Sequence, residues 1–241
     1  NCVYDCEYCY LKWAFKNDIE VFFVNYDDIK SQIKNVVENS NSNIEKWFYS
    51  SDYSDNLATD NITDFCEEFI PFFDTLENAK MEIRTKSVNI SKLLKMQPAK
   101  NTEIAFSLNP ESIISKYEHK TPSLDLRIKA INALLNAGWL VWVRFIPLLE
   151  VPDYEKIYTE FVEYVVKNID FTKINSVFIW WLLYTKDDYN KIVNKNPHFE
   201  LLYNLEKNCD GYFRETRTAR DFFYKIFDEN IKIKCRRCLD E

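Results

Sequence analysis

The chain reads as an α/β protein, a partial (β/α)6-type TIM barrel whose first strand lies before residue 1. Three observations predict it. Strand-like runs alternate with helical ones of about 10–15 residues, which is the pattern of βαβ units and a parallel sheet. One run, WLVWVRFIPLL at 139–149, is almost continuously apolar, as a parallel strand covered on both faces should be. Residues able to do chemistry fall just after the strand-like runs, where barrels carry their functional groups.

The elements follow in order. YDDIKSQIKNVVEN (26–39) has helical spacing at Ile29, Ile33, Val36 and Val37. KWFYSSD (46–52) reads as a strand, and 60–73 as a helix with Asp60 as its N-cap. KMEIRTKS (80–87) alternates like a strand, a short helix NISKLLKM follows, and EIAFSLN (103–109) is a buried strand. Ser123 to Ala137 is a helix capped by Ser123 and stopped by Gly138. The apolar strand at 139–149 leads into a helix that starts at Pro152 and Asp153 and runs to about Asn168. SVFIWWLLY (176–184) is a further strand, and a helix lies near 215–228. This divides the chain into a barrel core at 1–185 and a C-terminal extension at 186–241 packed on it.

Composition limits the function. Hydrophobic residues make up 46% of the 241 residues, enough for one sizeable core. Only two glycines occur, so Gly-rich phosphate loops of the P-loop or Rossmann kind are excluded. A formal net charge of −7 gives no global attraction for nucleic acid, and IKIKCRRCLDE at the C-terminus is the clear basic cluster. No apolar run reaches membrane-spanning length and no signal peptide is visible. With an odd number of cysteines, seven, a reducing, cytoplasmic location is expected, with no membrane partner.

Three of those cysteines, Cys2, Cys6 and Cys9, lie within eight residues as C-x3-C-x2-C in NCVYDCEYCYL. Such crowding indicates a metal centre rather than a disulfide framework. A closed iron–sulfur cluster takes four thiolates, so three leave one iron open to a substrate or cofactor. Three ligands of a zinc site, or coincidence, are the competing readings.

This spacing, with Tyr8 just before the third cysteine, resembles the signature of the radical S-adenosylmethionine enzymes. There the open iron of a [4Fe-4S] cluster chelates the methionine moiety, and electron transfer cleaves the cofactor to a 5′-deoxyadenosyl radical. YCYL (8–11), SDNLATDNIT (54–63), IRTKSVNI (83–90), AFSLNP (105–110) and TPSLDLRIKAINALLNAGW (121–139) together resemble spore photoproduct lyase and its relatives, in the same order and at similar intervals. The likeness is good over residues 2–150 and weak beyond. It implies a barrel of the radical S-adenosylmethionine kind and repair of a thymine dimer in DNA. It also implies S-adenosyl-L-methionine as cofactor and an electron donor such as flavodoxin or ferredoxin.

Carried over by position, the resemblance makes Cys2, Cys6 and Cys9 the cluster ligands and places Tyr8 along the adenine site. Ser54 and Asp55 would meet the methionine end, Lys86 would pair with its carboxylate and Ser107 would hydrogen-bond to it. The residue types suit that task, because a zwitterionic methionine end needs a cation and an anion, which Lys86 and Asp55 supply. The family carries a hydrogen-donating cysteine where this chain has Asp52, and an aspartate O–H bond is too strong for that step. Tyr10 matches a family tyrosine associated with radical return, and is either a hydrogen donor or a packing residue. A peptide or small-molecule substrate, or a zinc-stabilised binding module, are the other functions considered.

Elsewhere the signals are weaker. Cys235 and Cys238 form C-x2-C in the basic tail, which with Cys209 offers three ligands of a second metal, a disulfide, or nothing. His119 and His198 sit in polar loops and are expected to be exposed. Trp180 and Trp181 are expected to pack in the sheet. Cys66 is expected to face the core.

Overall fold

The structure is a computed structural model that describes residues 2–14, 19–39 and 44–237. Its elements begin with β1 (Asp5–Cys6), α1 (Tyr10–Ala14), α2 (Tyr26–Glu38) and β2 (Lys46–Ser50). They continue with α3 (Asp60–Thr63), α4 (Phe65–Asp74), β3 (Ala79–Thr85), β4 (Thr102–Leu108), α5 (Glu111–Tyr117), β5 (Glu118–His119) and α6 (Leu124–Asn136). After these come β6 (Val141–Leu148), α7 (Tyr154–Asn168), β7 (Ser176–Trp181), β8 (Leu183–Tyr184) and α8 (Lys186–Lys195). The chain closes with β9 (Glu206–Lys207), β10 (Phe213–Arg214), α9 (Arg217–Asn230) and β11 (Cys235–Arg237).

Six of the strands form one sheet in the order β2-β3-β4-β6-β7-β11. Every pairing in it is parallel. Sequential parallel strands with helical returns give the partial (β/α) barrel. The alternation of side chains along a strand then sorts the residues. Met81, Ile83, Ile104, Phe106, Val141, Val143, Phe145, Val177 and Ile179 belong to the main apolar core, and Phe48 packs against it. That core also takes in Phe69 and Phe73 of α4, Ile131 and Leu134 of α6, and Phe161 and Val165 of α7. The other parity points to the inside of the barrel and is charged and aromatic. Lys80 pairs with Glu103, Glu82 with Arg144, and Trp47 packs on Trp142 at 5.3 Å. A barrel interior is more often filled by branched aliphatic residues, so this inner face is unusually polar.

Local corrections have simple causes. The helix expected over 60–73 is two helices, because Asp64 adopts a left-handed conformation (φ 52°) between them. Asp60 is not an N-cap: Thr59 holds that place, and Asp60 is a buried helical residue. Its Oδ1 instead accepts the Cys66 N–H at 2.7 Å, which satisfies a first-turn donor of α4. Ser123 caps α6 as expected, accepting from the Leu126 N–H at 3.4 Å. Gly138 takes φ 88°, a value that a side chain would strain. The 176–184 run bends after Trp181, and β8 leaves the main sheet to pair with β10. The sixth strand, β11, comes from the basic tail, where sequence periodicity is too short to show a strand.

Candidate active site

A cavity of about 660 Å³ opens at the C-terminal ends of the strands. Cys2, Cys6, Tyr8, Cys9 and Tyr10 line it on one side, and Ser54, Asp55, Lys86 and Ser107 line it from the sheet. All nine residues singled out from the sequence therefore meet in one place, although residues 2 and 107 are far apart in the chain.

The cysteine loop is tied down by the backbone. β1 pairs with β5, which sets Cys6 opposite Glu118. The Cys9 N–H donates to the Cys6 carbonyl at 3.1 Å, and the Lys12 N–H to the Cys9 carbonyl at 3.1 Å. Burial pushes the Cys2 thiol up to about 11 and the Cys6 thiol up to about 12, and it raises Cys9 as well. Cys9 adds to the shift of both others. Among the described residues, no three Cys, His, Asp or Glu side chains converge as ligands of a single ion. A cluster that gives each thiolate its own iron suits neighbouring, non-converging thiols, and its binding must drive their deprotonation.

Tyr8 is the loop's anchor. It is buried, and its hydroxyl donates to Glu118 Oε1. Glu118 also accepts from Asn109 Nδ2 at 2.9 Å and from Arg127 Nη2 at 2.5 Å. Arg127 in turn donates through Nη1 to the Ser107 carbonyl at 3.0 Å. One buried network thus ties the cysteine loop to the end of β4. Burial works against the Glu118 carboxylate, but Arg127, Lys86 and the Tyr8 hydroxyl outweigh it and hold its pKa below the usual range. Sequence reading missed Glu118, Asn109 and Arg127. The signal was present, since Asn109 and Arg127 lie in the quoted segments AFSLNP and TPSLDLR, and a charged residue inside an amphipathic helix asks for a buried partner.

Asp55 is 5% exposed and fully engaged. Its Oδ1 accepts from the Thr85 hydroxyl at 2.8 Å and the Ala58 N–H at 3.0 Å, and its Oδ2 from the Lys86 N–H at 2.8 Å. Burial, only partly offset by these donors, raises its pKa. The carboxylate therefore clamps the loop after β2 to the end of β3. Ser54 Oγ donates to Asn56 Oδ1 at 2.8 Å. The Lys86 Nζ stands 5.7 Å from the centre of the Tyr8 ring. Burial disfavours its charge, but Cys6 and Glu118 more than compensate and its pKa lies above the ordinary lysine value. The Tyr10 hydroxyl donates to the Asp52 carbonyl at 2.9 Å, and its ring meets Tyr53 edge-on at 6.3 Å.

The far wall adds Arg84 and Arg144, which sequence reading left aside, beside Asp52. Arg84 Nη1 donates to Asp52 Oδ1 at 2.5 Å, and its Nε to Glu82 Oε1 at 3.2 Å. Arg144 Nη1 donates to the same Glu82 oxygen. Asp52, Arg84, Arg144, Trp180 and Trp181 all line the cavity. Trp181 also packs on Tyr224 of α9 at 5.2 Å, as a sheet-packing residue would. Cys66 is buried in the core as expected. His198 is exposed, while His119 pairs with Glu7 at 2.6 Å. Cys235 is buried in β11, Cys209 is exposed, and Cys238 lies outside the described residues.

The model of the spore photoproduct lyase family matches residues 1–230. The chain belongs to that family. A spore photoproduct lyase of Clostridium acetobutylicum is 29% identical over 206 residues, covering 83% of this chain and 59% of the relative. One of Geobacillus is 26% identical over 70% of this chain and 50% of the relative. The chain thus spans less than two thirds of the length of these curated relatives. A solved mutant of spore photoproduct lyase superposes with a TM-score of 0.85 at 19% identity, over 98% of this chain and 74% of that one. Another, solved with bound AdoMet and dinucleoside spore photoproduct, gives 0.83 at 20% over 98% and 73%. These superpositions bear out the partial TIM barrel. Among the described residues, no helix is long and apolar enough to cross a membrane.

Proposed function

We propose that this chain is a radical S-adenosylmethionine enzyme of the lyase type that acts on a damaged nucleic acid base. The observation that carries the reading is the shared cavity, where the C-x3-C-x2-C thiols meet Lys86, Ser54 and Ser107. Family membership and the AdoMet and dinucleoside spore photoproduct bound to a similar protein support it.

Cys2, Cys6 and Cys9 would hold a [4Fe-4S] cluster, which when bound supplies the electron for reductive cleavage of S-adenosyl-L-methionine to a 5′-deoxyadenosyl radical. The remaining chemistry belongs to the chain. Lys86 offers its ammonium to the methionine carboxylate, and Ser107 a hydroxyl. Asp55 keeps the backbone of Lys86 and the loop that carries Ser54 in register, so that both sides of the methionine end are positioned together. Tyr8, fixed by Glu118, presents its ring beside Lys86 as a wall for the adenine. Tyr10 stands at the rim, between the cysteine loop and Asp52, and takes the place of a hydrogen donor or radical relay. The barrel walls exclude water from a reactive carbon radical. A flavodoxin or ferredoxin would deliver the electron, and the cytoplasm would supply the reducing setting.

The test is anaerobic reconstitution with iron and sulfide, followed by dithionite and S-adenosylmethionine. Formation of 5′-deoxyadenosine, lost in Cys6→Ala, is expected. A protein that binds zinc, takes up no iron and makes none of this product would sink the reading.

A further inference from the structure

We propose that Arg84 and Arg144 form an anion-recognition subsite for the phosphodiester of the substrate, with the Asp52 carboxylate standing in for that group when no substrate is bound. The inference rests on the nucleic-acid reading above and names the part of that substrate which the far wall grips.

Charge arithmetic motivates it. Two guanidinium groups share one fully buried carboxylate, Glu82, through the same oxygen. That leaves one positive charge within this cluster, and Asp52 meets it from the rim. Asp52 is poorly suited to be a permanent partner: its side chain is 48% exposed and touches Arg84 through one oxygen. An exposed pair of this kind is worth little in water, so a better anion can displace it. Arg144 is the opposite, a residue only 4% exposed, and burial together with the Arg84 charge depresses its pKa. A second anion in the cavity would relieve that crowding.

Both guanidinium forks are braced, and the nucleic-acid reading makes a phosphodiester the anion they would meet. Arg84 is braced by the Tyr49 ring, 4.5 Å from its Cζ, and Arg144 by Phe178 at 4.4 Å. Bracing on rings fixes the two forks, which suits bidentate recognition of a tetrahedral group. Trp180 lines the same cavity, and Tyr53, next to Asp52 in the chain and packed on Tyr10, is 65% exposed, so aromatic faces for stacking bases are close by.

The test measures binding to the reconstituted protein with S-adenosylmethionine, by calorimetry. Two forms of spore photoproduct are compared, the dinucleotide with its bridging phosphodiester and the dinucleoside without it. The dinucleotide should bind at least about tenfold tighter in the unmodified protein. Arg84→Gln should erase that preference while leaving dinucleoside affinity unchanged. Asp52→Asn, which keeps the shape and removes the competing charge, should tighten the dinucleotide about three- to tenfold and leave the dinucleoside alone. Equal binding of both forms, or no gain in Asp52→Asn, overturns the subsite and leaves the nucleic-acid reading standing. Binding of neither form, with an acidic peptide bound instead, overturns both.

Discussion

Two carboxylate–arginine pairs flank the cavity, and they differ in what surrounds them. Glu118 and Arg127 are both fully buried, and Glu118 collects further donors from Tyr8 and Asn109. Asp52 and Arg84 sit at the rim with side chains 48% and 29% exposed. The first pair fixes the wall proposed to hold the cofactor, whose geometry must be the same in every turnover. The second lies on the wall proposed to receive the substrate, where groups must give way. Burial and hydrogen-bond saturation thus separate a structural ion pair from an exchangeable one, although both are short.

The largest effect is expected at the buried pair. Glu118→Ala leaves Arg127 charged and uncompensated in the core, and removing one partner of such a pair costs about 3–5 kcal/mol. Chemical denaturation should show this as a lower midpoint with an unchanged slope. A loss below about 1 kcal/mol would mean that the network tolerates its central acceptor missing, and the contrast with Asp52 would fail.

Glu215 sharpens the same contrast. It is as buried as Glu118, but beside Glu150 rather than an arginine, and burial raises its pKa well above the ordinary range. A raised carboxyl favours the protonated form in the fold. Its stability contribution is full below the unfolded pKa of about 4.3 and is lost as pH rises through the folded value. Glu118, with a lowered pKa, works in the reverse sense: its contribution is present above that unfolded value and fades as pH falls. Glu215→Gln should therefore stabilise the protein by roughly 1–3 kcal/mol at pH 7, with the gain vanishing below about pH 4. A variant as stable as the parent at pH 7 would show that the Glu215 carboxylate is adequately solvated.

Much of this was legible in the residues, for identifiable reasons. Ser123 and Gly138 announced α6 through local chemistry, and the cysteine spacing with Lys86, Asp55 and Ser107 located the cavity. What local pattern could not show was the second parity of the strands. WLVWVRFIPLL reads as apolar on both faces, but Arg144 within it points inward to Glu82, a partner 62 residues away. Arg127 carried a signal in its helix, but its partner Glu118 did not, because a buried network is a property of packing and not of spacing. The split at Asp64 depends on a single left-handed residue, which periodicity averages away.

The smallest expected effect is at the rim. Asp52→Ala removes one hydrogen-bonded oxygen from Arg84, which keeps Glu82 and its contact with the Tyr49 ring. The Tyr10 hydroxyl keeps its partner too, because it donates to the Asp52 backbone carbonyl. Nothing buried is left unpaired, so the loss of stability should fall within the 0–1 kcal/mol typical of exposed pairs, and added salt should shrink it further. Denaturation at low and high salt measures both. A salt-insensitive loss of about 2 kcal/mol or more would place Asp52 with Glu118 as a structural anchor. A rim anion that the fold depends on could not yield to a substrate phosphate, so that one result would also remove the basis for Arg84 as a recognition point.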